Sequence, residues 1–319
     1  MQRTKISYLT HTWNPLAMRC TPVSPGCQNC WHIAMAKRHA GNPILKNEER
    51  DAWAGGKPVL RAKELETPLR MRKSARIGVQ FMGDLFHEDV PDEVIDRVFA
   101  VAALCPQHIF IMLTKRAERM AEYTLGLQTV EGAKRFEDQR SDPMTLHRYA
   151  MDFRRGKPLP NVWAGVSVEN QATADERIPH LLRTPAAVRF VSIEPMLGEV
   201  RLKSIATPGS PHSDCASTLM LDALDGFRAT SSCSGTQGPS LDWVIVGCES
   251  GPKRRHCEVE WVRGVVEECQ YAGVPVCVKQ YCNFAGDVLH PEYMPDGSIA
   301  YPDAWPEDVA HHAWPEVVG

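Results

Sequence analysis

The chain has 319 residues, 43% hydrophobic and 24% charged, which suits a folded protein with a sizeable core, either two small domains or one large α/β barrel. A formal net charge of −3 excludes a uniformly basic nucleic-acid coat, so any nucleic-acid contact must come from a local patch. No run of 18 apolar residues occurs and the opening MQRTKISYLTHTWNP has no signal-peptide core, so no membrane partner is expected and the cytoplasm is the default location.

In chain order, ISYLTHTWNP (6–15) reads as a first strand, followed by the turn-rich CTPVSPGCQNCWH (20–32). IGVQFMGD (77–84), HIFIMLTKR (108–116), NVWAGVSVEN (161–170), VRFVSIEP (188–195), DWVIVGCESG (242–251) and PVCVKQ (275–280) are short apolar runs that each end in polar residues. Near-continuous β-branched runs of this kind mark parallel strands buried on both faces. Between them, PDEVIDRVFAVAAL (91–104), ADERIPHLLRT (174–184) and VEWVRGVVEECQYAG (259–273) have helical spacing, with Pro91 suited to a first turn and Gly273 to a stop. The alternation predicts an α/β fold over 1–285, a partial or complete parallel (β/α) barrel of about six to eight strands. Two stretches interrupt it: the charged 122–158, expected as an inserted helical excursion, and 204–240, rich in Ser, Thr, Gly and Pro, expected as a loop insertion with poor packing potential. Residues 286–319 read as a C-terminal extension wrapping the outside.

Parallel barrels carry their sites at the carboxyl ends of the strands. Asp84, Thr114, Lys115, Arg116, Ser167, Glu169, Asn170, Ser192, Glu194, Glu249, Ser250, Lys279 and Gln280 all end apolar runs and are expected to converge on one cleft. Taken singly, each is as readily a strand end or a helix cap.

Eleven cysteines, an odd number in a reducing compartment, point to metal ligands or buried thiols rather than a disulfide framework. Cys20, Cys27 and Cys30 form C-x6-C-x2-C on the loop after the first strand. Thiolates are soft ligands for zinc and for iron–sulfur clusters. Three of them leave one iron of a [4Fe–4S] cluster open to chelate a small molecule. A zinc site completed by His32 or His11, and ordinary buried thiols, are the alternatives; no second ligand pair at short spacing is clearly placed for zinc. Cys257, Cys269, Cys277 and Cys282 are irregularly spaced and read as buried thiols, whereas Cys248 stands at a strand end beside the expected cleft.

The segments WNP with C-x6-C-x2-C-W, GDLFHEDVPDEVIDRVF, LTKRAERM, NVWAGVSVENQ, ERIPHLL, RFVSIEPMLG, DWVIVGCESGPKRR and VKQ, in that order across residues 6–285, resemble a phage-associated three-cysteine-motif family. That family is similar to a divergent branch of the radical S-adenosylmethionine enzymes, near spore photoproduct lyase. Four departures are seen: C-x6-C replaces the usual C-x3-C, Trp31 follows the last cysteine instead of an aromatic preceding it, Cys248 stands where glycine is expected, and Tyr281–Cys282 where Trp-Gly is expected.

The resemblance implies that Cys20, Cys27 and Cys30 hold three irons while S-adenosylmethionine chelates the fourth. It implies that Gly83 and Asp84 meet the methionine amino group, Ser167 and Glu169 the ribose, and Ser192 and Glu194 the ribose or substrate. An electron donor completes the partners. Lys115 and Arg116 suit a substrate phosphate or carboxylate and, with Gln280, form the expected substrate contacts; Cys248, Glu249 and Lys279 form the expected catalytic set. Lys253, Arg254 and Arg255 are either a solvated loop or a contact to a nucleic-acid backbone. The implied activity is on a modified nucleobase, with isomerisation of an amino-acid adduct of thymidine in phage DNA, inside the host cell, as the specific case. A DNA-repair lyase with Cys248 or Tyr281 quenching a radical, and a non-catalytic zinc-bearing nucleic-acid-binding module, are the rivals.

Overall fold

Apolar, β-branched segments form strands that run mostly parallel to their neighbours, with amphipathic helices as crossovers, so the chain is a mixed α/β protein. The computed structural model describes residues 1–139, 142–207, 219–230, 233–282, 287–293, 299–303 and 305–315. The chain divides into two units, Met1–Gly165 with Thr184–Ala187, and Val166–Arg183 with Val188–Gly319. Among the described residues no helix is long and apolar enough to cross a membrane.

In the first unit, β1 (Gln2–Arg3) pairs antiparallel with β2 (His11–Trp13). The chain then builds a small layer: β3 (Leu16–Ala17), a 3-10 turn at Pro25–Cys27, α1 (Trp31–Ala40), α2 (Asn47–Ala54), β4 (Val59–Leu60) and α3 (Ala62–Leu65). β3 and β4 pair antiparallel, and Ala17, Ala36, Ala52 and Trp53 pack into a buried cluster of their own. The main strands resume with β5 (Arg76–Val79), parallel to β2 and, across α4 (Asp92–Ala103), to β6 (Ile109–Thr114). Pro91 stands one position before the helix, as its N-cap, and Asp92 and Glu93 place negative charge in the first turn.

The charged stretch after β6 does form helices: α5 (Ala117–Gly126), α6 (Val130–Glu137) and α7 (Pro143–Arg154). Thr129 and Asp142 cap the last two by accepting from the backbone N–H of Gly132 and Thr145. Arg135 Nε reaches the fully buried Asp96 at 2.5 Å, and Tyr123 donates to the same carboxylate at 2.8 Å, so the excursion is pinned to α4. β7 (Val162–Val168) is buried throughout; its first four residues belong to the first unit and its last three to the second. Asn161 fixes its start, donating to the carbonyls of Ala102, Cys105 and His108.

The second unit opens with α8 (Gln171–Arg183), which begins three residues before the sequence pattern suggests. The reason is a local cap: Thr173 Oγ1 accepts from the N–H of Glu169 and Asn170, and Asn170 Oδ1 accepts from that of Thr173. After β8 (Val188–Ile193) comes a correction to the expected loop insertion. β9 (Ile205–Thr207), β10 (Leu219–Leu221), β11 (Phe227–Thr230) and β12 (Cys233–Gln237) form a four-stranded antiparallel layer in the order β12-β11-β10-β9. A few well-placed apolar residues, Ile205, Leu221, Ala223 and Leu224, supply buried contacts that overall composition hides; residues 208–218 and 231–232 lie outside the description. β13 (Trp243–Gly247) runs parallel to β8 and to β14 (Val276–Cys282), joined by α9 (Val259–Ala272), which Gly273 ends at φ 71°. β15 (Val288–Leu289) pairs antiparallel with β14.

The extension does more than wrap the outside. Val278 N–H donates to the carbonyl of His311 and Ala313 N–H to that of Val276, so the tail hydrogen-bonds along β14. Trp305 and Val309 are buried, and Trp314 stacks on Trp243 with centroids 4.9 Å apart.

Candidate functional site

In the first unit the three cysteines sit on one ordered loop. Pro25 fits the first position of the 3-10 turn, whose closing N–H groups run from Cys27 to the Ser24 carbonyl and from Cys30 to the Cys27 carbonyl. Cys30 is then the N-cap of α1. His32, buried in that helix, accepts the backbone N–H of Cys20 at Nε2 (3.1 Å), which ties the two ends of the loop together. Burial first, then the charges of His39 and Arg19, push the His32 pKa down to about 4, so its ring is neutral. With Nε2 facing the Cys20 amide, that nitrogen is turned away from the role of a zinc ligand.

Two cations reach the cysteine loop from just past the end of β6. Lys115 Nζ donates to Ser24 Oγ at 3.2 Å, and Ser24 Oγ lies 3.8 Å from Cys27 Sγ. Burial raises the Cys27 pKa, but backbone hydrogen bonding at Val23, the Lys115 charge and the Ser24 contacts outweigh it, and the thiol lies below its ordinary value. Cys20 goes the other way: burial and the Asp84 charge push it up to about 11 against the pull of Arg116. Cys30 is also raised, by burial and then by its neighbour Cys27.

Gly83 and Asp84 lie past the end of β5. Gly83 has φ 139°, and a Cβ there would stand 2.7 Å from Met18 Cγ, so only glycine fits. Asp84, 4% exposed, accepts at Oδ1 from Phe86 N–H and Thr114 Oγ1, and at Oδ2 from Thr114 Oγ1, Lys115 N–H and Arg116 Nη1. Arg116 spans the gap between this carboxylate and the cysteine loop. Its Nη1 is 3.6 Å from Cys20 Sγ, its Nη2 donates to Thr21 Oγ1 and the Thr21 carbonyl, and its Nε donates to Glu88. Burial would lower its pKa, but Asp84, Glu88 and Cys20 raise it further. Arg116 therefore serves as an internal brace, and Thr21, His87 and Glu88 join it; sequence reading did not single out these three, because nothing in their spacing marks them.

In the second unit the polar strand ends are joined as ion pairs. Glu169, fully buried, lies 3.3 Å from Arg177 Nη1, which also donates to the Ser167 carbonyl at 2.6 Å. Glu249 receives a fork from Arg255, at Oε2 from Nε (2.9 Å) and at Oε1 from Nη2 (2.5 Å). Glu169 adds to the field that raises the Arg255 pKa, after the Glu249 hydrogen bond and charge and against burial, so the two glutamates are neighbours. Glu194 pairs with Lys279, and Ser167 Oγ donates to the Glu194 carbonyl at 3.0 Å. Gln280 donates to the carbonyl of Cys248, whose side chain is buried. Ser192 Oγ is buried with no hydrogen-bond partner among the described residues. Arg177 and Arg255 stand out as unexpected: both lie in quoted motifs, yet pairing needs the fold to be seen. Arg255 is drawn onto Glu249 and not offered outward to a phosphate.

Among the described residues no group of three or more His, Cys, Asp or Glu side chains is gathered tightly enough to hold a metal ion. In donor chemistry the cysteine loop fits an iron–sulfur cluster through its three soft sulfurs on one short loop and the nearby positive charge of Lys115 and Arg116; of the three thiols only Cys27 is lowered in pKa, while burial raises Cys20 and Cys30. No curated protein matches the chain, and no solved structure does. The family described as a protein of unknown function, DUF5131, matches residues 3–298, and the chain belongs to that family.

Proposed function

We propose that the chain is a radical S-adenosylmethionine enzyme with a parallel (β/α) barrel architecture, acting in the cytoplasm on a modified nucleobase. One observation carries this reading: a single loop bears Cys20, Cys27 and Cys30 with Arg116 at the Cys20 sulfur, Lys115 on the Ser24 hydroxyl beside Cys27, and the buried Asp84 behind Arg116. Cys20, Cys27 and Cys30 would hold a [4Fe–4S] cluster. When bound, the cluster and S-adenosylmethionine, fed by an electron donor, supply one-electron cleavage and an organic radical able to abstract hydrogen.

In the first unit, the chain's own residues hold and balance the cysteine loop. Lys115 offsets the charge of the thiolates, and Arg116 holds Cys20 to Asp84 through one guanidinium. In the second unit, taken by itself, Glu169, Glu194 and Glu249 are fixed in direction by Arg177, Lys279 and Arg255, so their oxygens need not reorganise to meet a polar ligand. The buried Ser192 hydroxyl, which has no hydrogen-bond partner among the described residues, also has hydrogen-bonding capacity in reserve. The substrate reading, isomerisation of an amino-acid adduct of thymidine in phage DNA, rests on the family likeness of the motifs.

The test is anaerobic reconstitution with iron and sulfide, then dithionite and S-adenosylmethionine. Formation of 5′-deoxyadenosine by the wild-type protein, lost in Cys30→Ala, is expected. A reconstituted protein that never forms it would refute the catalytic reading, and release of repaired thymine from lesion-bearing DNA would move it to a lyase.

A further inference from the structure

The chain's charge is unevenly distributed. Residues 1–76 hold fourteen Lys and Arg against five Asp and Glu, a formal +9, so the remaining 243 residues carry −12 within a total of −3. All fourteen cations except Arg50, Arg61 and Arg76 are exposed. Three of the five acids are already engaged: Glu49 with Arg61 at 3.7 Å, Glu66 with Arg70 at 2.8 Å, and Glu64 with the N-terminal amine.

Helix α1 gives this charge a shape. It starts at Trp31, directly after Cys30, and buries His32 and Ala36. Trp31, Ala34, Met35 and Arg38 fall at i, i+3, i+4 and i+7, so they share a different face. Trp31 is 53% exposed, Lys37 and Arg38 are exposed, and Arg38 Nη1 lies 3.9 Å from Met35 Sδ. Behind that face His39 stacks on the buried Trp53 with centroids 4.8 Å apart, which fixes the helix. Arg19, Arg38 and Arg61 all act on the His32–His39 pair, so these cations gather around one rigid support. An exposed indole flanked by cations on a firm helix suits a polyanion that also has flat aromatic faces. An acidic protein or an anionic membrane would answer the charge but not the indole.

We propose that residues 1–76 form a nucleic-acid-binding surface in which Lys37 and Arg38 meet phosphates and Trp31 stacks on a base, so that the substrate is a nucleotide within a strand. As a statement about substrate this rests on the radical-enzyme reading, whereas strand binding itself needs no cofactor. The surface adjoins the cysteine loop, because Trp31 follows Cys30. It also accounts for how a net-acidic chain approaches a polyanion.

The test uses the full-length protein and fluorescence anisotropy of a labelled single-stranded oligonucleotide of about 20 nucleotides, between about 50 and 200 mM salt. Wild-type binding that weakens with salt is expected. Lys37→Glu with Arg38→Glu should weaken binding at least about tenfold and reduce the steepness of the salt dependence by about two charges. Trp31→Ala should weaken it about fivefold or more at an unchanged slope. Lys134→Glu, exposed on α6, should leave both within about twofold. All these side chains are exposed, and the thermal midpoint of each variant, read by circular dichroism, checks folding. No binding at low salt, a double charge reversal within twofold of wild type, an unaffected Trp31→Ala, or equal competition by polyglutamate or anionic vesicles would overturn the proposal. Assaying 5′-deoxyadenosine on the same preparations separates the two readings. Binding without adenosyl cleavage removes the enzyme and leaves the surface, and cleavage without binding does the reverse.

Discussion

At their candidate-site residues the two units hold buried charge in different ways. In the first, one guanidinium serves many partners: Arg116 touches Asp84, Glu88, Thr21 and Cys20, and most of these lie on loops. In the second, each glutamate has its own cation, and Glu169, Glu194 and Glu249 stand at strand ends, with Arg177 on a helix and Lys279 on a strand. Groups on regular elements are held more precisely than groups on loops. The second arrangement is therefore suited to presenting fixed polar atoms, and the first to closing around something that the loop must accommodate.

The largest effect should come from breaking the most buried pair. Arg177→Met leaves the Glu169 charge without its partner in a site where both are at most 2% exposed, and should cost about 3–5 kcal/mol in urea unfolding. Adding Glu169→Gln should recover part of the loss, since the stranded charge is gone. A loss under about 1 kcal/mol would mean that the pair is solvated.

Arg116→Ala in the first unit should cost less, about 2–3 kcal/mol, because Asp84 keeps its hydrogen bonds from Thr114, Lys115 and Phe86. Arg116→Lys keeps the charge but not the fork and should fall between. Equal losses for Arg116→Ala and Arg177→Met would erase the contrast between loop-held and element-held charge.

Thiol chemistry sharpens the comparison within the loop. Cys27 has a lowered pKa and Cys20 one pushed up to about 11, so as pH rises the Cys27 thiolate appears first. Alkylation of the metal-free protein by iodoacetamide near pH 8, followed by peptide mass mapping, should label Cys27 at least about tenfold faster than Cys20. Faster labelling of Cys20 would contradict the placement of Lys115 and Ser24.

The smallest effect belongs to Glu88: burial pushes its carboxyl up, but the hydrogen bond and charge of Arg116, with backbone hydrogen bonding and the His87 charge, together outweigh this and hold it down to about 2. Its folded pKa is depressed, so its stabilisation is present above the unfolded value near 4.5 and is lost as pH falls toward 2. The side chain is 60% exposed, so Glu88→Gln should cost less than about 1 kcal/mol at pH 7, and the difference from wild type should shrink markedly as pH falls to 2. A difference that persists undiminished at that pH would refute the ion pair.

Much of this was legible in the sequence. Parallel strands buried on both faces announce themselves as apolar β-branched runs, and Gly273 and the 259–272 periodicity mark a helix and its end. Boundaries shifted where side-chain caps decided them, as Asn170 and Thr173 do for α8. The antiparallel layer of β9 to β12 was hidden because its packing depends on a few apolar residues within a Ser- and Gly-rich stretch. Of the candidate site, the cysteine loop and the residues at strand ends could be named from pattern alone. Their partners could not: Arg177 for Glu169 and Arg255 for Glu249 are choices made by tertiary contact.

The most direct test of the central claim is the iron, sulfide and zinc content of the anaerobically purified protein, measured with its visible spectrum, for wild type and Cys27→Ala. The account predicts a brown wild-type protein with about four irons and four sulfides per chain and a colourless variant. One zinc per chain in a colourless wild-type protein, or an iron–sulfur spectrum unchanged by Cys27→Ala, would contradict it.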